Sequence, residues 1–116
     1  MPRLLAILTT TLVLLLAVPA RAETTPASRV AQLMVLEPSD ASYKLFHGAV
    51  WLDADKATTN YRWGGLQCKG HELSPNSIQL LFAALRPEYQ VALEYVVTQY
   101  KGKPYRCITG FAISRG

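Results

Sequence analysis

The sequence predicts a small α+β domain, a five-stranded OB-like β-barrel with one helix between its third and fourth strands. Three observations predict it. Residues 90–99 and 105–114 alternate apolar and polar side chains on either side of a glycine-containing turn, the pattern of a β-hairpin. Residues 74–86 read as one capped amphipathic helix. Three further strand-like segments precede that helix. Strand, strand, strand, helix, strand, strand is the element order of an OB barrel, and closing a sheet removes the edges that expose a small β protein to misassembly.

The chain has 116 residues, a length that fits one domain. Its start is a separate unit. Met-Pro-Arg is followed by an apolar run from Leu4 to Val18, and then by Pro19-Ala20-Arg21-Ala22. A short basic start, an apolar middle and small residues before a cut are the three parts of a secretory signal. The apolar run is shorter than the roughly 20 residues a spanning helix needs. Residues 1–22 are therefore expected to be a cleaved signal peptide, leaving no stable membrane anchor. Cleavage takes Arg3 and Arg21 with it. Ten Lys+Arg then face 8 Asp+Glu, and the net charge falls from +4 to +2. So modest an excess is no nucleic-acid footprint.

Export sets the expectation for Cys68 and Cys107, the only two cysteines. In an oxidising compartment an even pair forms one disulfide. Closing so long a loop is worth about 3–4 kcal/mol on the chain-entropy model. No Asn-x-Ser/Thr sequon occurs, so a bacterial envelope setting, periplasmic or secreted, fits better than a glycosylated product.

The elements follow in order. Residues 23–28 are rich in Thr, Pro and Ala and read as a flexible leader to the domain, residues 29–116. Arg29–Glu37 is the first strand. Pro38–Ser42 is a turn cluster. Tyr43–Leu52 is the second strand, with Gly48 as a bulge. Asp53–Lys56 connects it to Thr58–Cys68, the third strand, where Tyr61 and Trp63 share a face and Gly64-Gly65 permits a bend. Ser74 then stands as an N-cap before Pro75, and Leu73 and Ile78 have the spacing of a hydrophobic staple. Ile78, Leu81, Phe82 and Leu85 make one apolar stripe, and Pro87 stops the helix. Val91, Leu93, Tyr95 and Val97 line one face of the fourth strand. The turn Tyr100–Pro104 leads to the fifth, with Tyr105, Cys107, Thr109, Phe111 and Ile113 on one face.

The segment Ser74-Pro75-Asn76-Ser77-Ile78-Gln79-Leu80-Leu81-Phe82-Ala83-Ala84-Leu85, followed by Gln90-Val91-Ala92-Leu93-Glu94-Tyr95, resembles secreted OB-fold proteins. It is similar to the B subunits of pentameric bacterial toxins of the subtilase-cytotoxin and pertussis-like type. Tyr105-Arg106-Cys107-Ile108-Thr109-Gly110 extends the likeness to uncharacterised exported bacterial proteins. The resemblance covers about 40 residues, the helix-plus-hairpin unit. It implies a non-catalytic binding domain that can oligomerise, and transfers no individual sugar-binding residue.

Several constellations invite chemistry. Cys68-Lys69-Gly70-His71 has the spacing of a metal pair, with His47 and Cys107 as further ligands, but a disulfide removes it and no metal or other cofactor is expected. Asp53 and Asp55 fit a solvated turn better than an acid–base pair or a calcium loop. The aromatic residues are richer. Trp51, Tyr61 and Trp63 lie on the second and third strands, and in OB folds these strands and the loops after the first and fourth strands form the ligand surface. With Lys101 and Lys103 they make up the expected ligand-binding set. Lys101, Lys103 and Arg106 suit an anionic partner or a protected sheet edge.

The reading that follows is an exported, non-enzymatic binding domain for a glycan or protein in the cell envelope or outside, with no nucleic-acid partner. A periplasmic inhibitor or immunity protein, directed at a cell-wall enzyme or toxin, is the second reading. A small hydrolase using Asp53, Asp55, His71 or Glu72 is the third.

Overall fold

The computed structural model describes residues 21–116. The expected signal peptide, apart from its last two residues, lies outside the described residues. Six strands and one helix follow in the order β1 (Glu23–Thr24), β2 (Val30–Val35), β3 (Gly48–Leu52), β4 (Tyr61–Trp63), α1 (Pro75–Ala83), β5 (Tyr89–Tyr100) and β6 (Lys103–Arg115). They form one sheet with the strand order β1-β5-β6-β4-β3-β2. Every neighbouring pair is antiparallel except β4 and β6, which run parallel with Arg62 beside Cys107. Among the described residues no helix is long and apolar enough to cross a membrane.

The expected closed, five-stranded barrel needs correction. The described residues form six strands, and the sheet is open between β1 and β2. Pro26, which has no N–H to give to a ladder, falls where one long first strand would bend. The chain divides around it. β1 pairs with β5, β2 pairs with β3, and the two end strands are not bonded to each other. Residues 23–28, which the composition assigns to a leader, are accordingly held to the sheet. Thr25 and Ser28 are buried, and Ser28 exchanges backbone hydrogen bonds with Val91. Thr25 Oγ1 also accepts from the Leu93 amide at 2.9 Å.

The β5–β6 hairpin is the longest element, paired from Tyr89–Arg115 to Tyr100–Lys103. Its turn has just two residues, Lys101 (φ 50°) and Gly102 (φ 77°), both in the left-handed region that tight hairpin turns require. Pro104 sits inside β6 opposite Gln99, beyond the reach of the short β4, so no ladder bond needs its missing N–H. Glu94 faces Gly110 and Tyr95 faces Ile108, which leaves Thr109 as an extra residue. That bulge flips the strand. Ile108 is in the core, and Phe111 and Ile113 pack against it, so the single face expected for Tyr105 through Ile113 is broken at Thr109.

The meander β2–β3–β4 is shorter than the sequence suggests. Residues 43–47 are irregular, turns through Leu45 and a bend at His47, because Asp40 diverts the chain: its carboxylate accepts from the Ser42 amide at 2.8 Å and its carbonyl from Tyr43 at 3.1 Å. Gly48 is no bulge. It opens β3 because the Trp63 ring lies over it, and a Cβ there would come within 2.1 Å of Trp63 Cζ2.

Helix α1 starts as expected, with the Ser77 amide donating to Ser74 Oγ at 3.1 Å and Pro75 at the first position. Its buried face differs from the expected stripe. Leu81 and Ala84 are fully buried, and Ile78 and Leu73 pack against the core, whereas Phe82 is 65% and Leu85 39% exposed. A helix of nine residues against one side of a sheet has room to bury a single narrow row. The core joins that row to Val50, Trp63, Val91, Leu93 and Ile108.

Cys68 and Cys107 form the expected disulfide, spanning 39 residues and tying the segment after β4 to β6.

Candidate functional site

Strand geometry sorts the expected ligand-binding residues into three places. Val50 pairs with Tyr61 and Gly48 with Trp63. Alternation along these strands therefore sends Tyr61 and Trp63 inward. Trp63 is 1% and Tyr61 3% exposed. These two rings belong to the core, which corrects the expectation that they stack on a ligand. The Tyr61 hydroxyl donates to Asp55 Oδ2 at 2.8 Å, and its ring meets Tyr95 edge-on with centroids 5.1 Å apart. Burial, then the Asp55 hydrogen bond, push the Tyr61 phenol well above its ordinary range. Tyr95 is raised too, chiefly because its hydroxyl donates to Glu23 at 2.7 Å.

Trp51 points the other way, toward the outer face. It is half-buried beside a recess of about 280 Å³ lined with Gln32, Asp53 and Asp55. Lys101 and Lys103 are exposed on the hairpin, the Lys101 ammonium lying 5.5 Å from the Tyr100 ring centroid. The structure does not gather all five residues into one site.

The outer face has a different centre, Arg62. It follows Tyr61 and precedes Trp63, so it must emerge on the side opposite to both. The Ala49–Arg62 pair puts Trp51 on that same face, one diagonal step away. Phe46, from the turns before β3, lies on the guanidinium with 4.1 Å from Cζ to the ring centroid. Tyr105, two residues before Cys107 on the neighbouring strand, lies 5.2 Å away. Arg62 Nε donates to Asn60 Oδ1 at 3.0 Å, and Nη1 donates to Gln67 Oε1. Gln67 is itself buried, its carbonyl accepting from Thr98 Oγ1 at 2.6 Å. Desolvation lowers the Arg62 pKa. The guanidinium stays charged, because an arginine starts far above neutrality. Beside it opens a recess of about 160 Å³ lined with Thr58, Asn60, Arg62, Pro104, Tyr105 and Arg106.

The residues considered for catalysis or metal binding are dispersed. Cys68 is in the disulfide, Glu72 Oε2 lies 2.8 Å from His47 Nδ1, and Asp55 accepts from Tyr61. Among the described residues no three of His, Cys, Asp and Glu gather as metal ligands. The His47–Glu72 pair, with Tyr43 stacked on His47 at 3.9 Å, ties the turns before β3 to the loop after β4. Gly64 (φ 70°) makes this approach possible, since a Cβ there would fall 2.3 Å from His47 Nδ1.

Arg62 was not among the expected ligand-binding residues, because Tyr61 and Trp63 were expected to face the ligand and strand parity then turns Arg62 away from it. Its partners Phe46 and Gln67 were hidden too, because both come from irregular segments whose course no periodicity encodes. Comparison of the chain with protein-family models, curated proteins and solved structures gives no match.

Proposed function

We propose that this chain is an exported, non-enzymatic binding domain, OB-like in plan, that recognises a glycan or protein through the outer face of β3, β4 and β6. The strand sequence β2-β3-β4-β6-β5, with α1 between β4 and β5 and a parallel β4–β6 contact, supports the OB-like plan. In that plan β1 and β2 share the work of one bent strand. The disulfide fits a periplasmic or secreted setting.

One observation carries the reading: a guanidinium within cation–π reach of both Phe46 and Tyr105 on the same face as the half-buried Trp51. Aromatic rings and an oriented arginine are the residue types that anchor ligands at protein surfaces. Arg62 has its geometry fixed in advance by Asn60 and Gln67, which lowers the entropy cost of binding.

The test is a glycan array, with a parallel screen against purified envelope proteins, using the disulfide-bonded protein. Binding should weaken about tenfold in Trp51→Ala and in Tyr105→Ala, as loss of a stacking anchor predicts. Both screens at background, or ligands indifferent to both substitutions, would remove the reading.

A further inference from the structure

We propose that the free edge of β2 is a dimerisation surface, and that its occupant is β2 of a second copy of this chain, paired antiparallel about a two-fold axis at Met34. The interface is separate from the candidate site and uses none of its contacts.

β2 ends the sheet and is bonded to β3 alone. Its register gives the direction of each backbone group. The Leu36 amide donates to the His47 carbonyl at 2.9 Å, and Met34–Ala49 and Gln32–Trp51 follow at alternate positions. Antiparallel alternation therefore turns the N–H and C=O groups of Met34 and Gln32 toward β3, and those of Leu33 and Val35 outward. Among the described residues no backbone group from another segment meets this outward pair.

Sheet edges are ordinarily guarded by lysine, proline or brevity. The hairpin carries Lys101, Lys103 and Pro104 at its tip, and β1 is two residues long and stops short of Pro26. Val30-Ala31-Gln32-Leu33-Met34-Val35 has neither charge nor proline, and its one irregularity is the bulge at its start. Val35 is 49% exposed, for Gly48 across the strand offers it no side chain.

The ends of the strand select the partner. Arg29 precedes β2 and Glu37 follows it, both are exposed, and neither enters an ion pair among the described residues. A second β2 laid antiparallel brings Arg29 of each copy toward Glu37 of the other, whereas a parallel one sets like charge against like. With Met34 on the axis, Leu33 of each copy faces Val35 of the other, so both outward residues exchange backbone bonds and the exposed valine gains an apolar neighbour. An axis at Leu33 or Val35 would instead oppose these residues to Ala31 in the bulge or to Glu37, whose carbonyl already accepts from the Asp40 amide at 2.9 Å. Trp51 lies one strand in from β2, so the two outer faces come to lie on the same side of one continuous sheet, where a repeating ligand meets both.

The test is sedimentation velocity of the disulfide-bonded protein from micromolar to millimolar concentration, with hydrogen exchange of single amides followed over the same range. A reversible dimer is expected. Exchange of the Leu33 and Val35 amides should slow as it forms, while that of the Gly102 amide at the hairpin turn should not. Val35→Lys, at a side chain half exposed in the single chain, should leave the fold intact by circular dichroism and weaken the dimer about tenfold, because both cross-strand pairs are lost at once. Arg29→Glu should weaken it severalfold, and Arg29→Glu combined with Glu37→Arg should restore it. A chain that stays monomeric at millimolar concentration overturns the proposal and leaves the edge to a foreign strand. Leu33 and Val35 amides protected in a monomer overturn it in favour of another segment of this chain. A dimer indifferent to Val35→Lys uses a different surface and overturns it as well. None of these results touches the ligand reading, which the glycan and envelope-protein screens decide.

Discussion

The two halves of the sheet are built on different principles. The β5–β6 hairpin is long and regular, 12 and 13 residues joined by a two-residue turn. The β2–β3–β4 meander has strands of 6, 5 and 3 residues, and much of its length lies in turns and loops. The hairpin is held by its own ladder. The meander is held by particular fits: Trp63 over Gly48, His47 and Glu72 against Gly64, and Phe46 on Arg62. Regular pairing supplies a frame, and irregular chain places side chains where a pleat cannot. The candidate site accordingly takes Tyr105 from the frame and Phe46, Asn60 and Gln67 from the loops.

The largest test of this contrast is the bond that crosses it. Cys68→Ser with Cys107→Ser should cost about 4 kcal/mol on the chain-entropy model for a loop of this length, measured by urea unfolding. Retained stability would mean that the halves hold together without the staple. Next come the glycines. Gly48→Ala drives a methyl into Trp63 and should cost about 3 kcal/mol, whereas Gly102→Ala, in open space at the hairpin turn, should cost about 1 kcal/mol for its left-handed conformation. Equal losses would erase the distinction between fitted and regular halves.

A third test uses pH. The folded Tyr61 phenol titrates above its unfolded value near 10, so its stabilising contribution is intact below that value and is lost as pH rises through the folded pKa. Stability should decline above about pH 10. The decline should be shallower in Tyr61→Phe, followed by circular dichroism. The smallest effect is expected at Phe82→Ser, within about 0.5 kcal/mol of the parent because the ring is already 65% exposed. A larger loss would show that this ring is covered in solution.

Legibility in the sequence followed the same division. The hairpin, the helix cap and the disulfide partners could be read, since alternation, Ser74-Pro75 and a lone cysteine pair are local signals. The bulge at Thr109 was hidden, because one extra residue leaves no mark on composition. Phe82 and Leu85 entered the expected stripe since helical spacing cannot say how wide a face the sheet will cover. Residues 23–28 passed for a leader because Pro and Thr dominate, although Thr25 and Ser28 supply bonds to β5. For the site, Trp51 was among the expected residues, whereas Arg62 was passed over. Tyr61 and Trp63 were misassigned because parity says that two rings share a face and not which face that is.

Cys107 is the register neighbour of Arg62, and Cys68 directly follows Gln67, the residue that grips the same guanidinium. The sulfur bridge thus stands directly beside the candidate site. Wherever thiols are kept reduced, Gln67 and Tyr105 lose their common tether and the arginine loses its mould. On the proposed reading, recognition would await oxidation outside the compartment of synthesis, so that forming the bond doubles as a licence to bind.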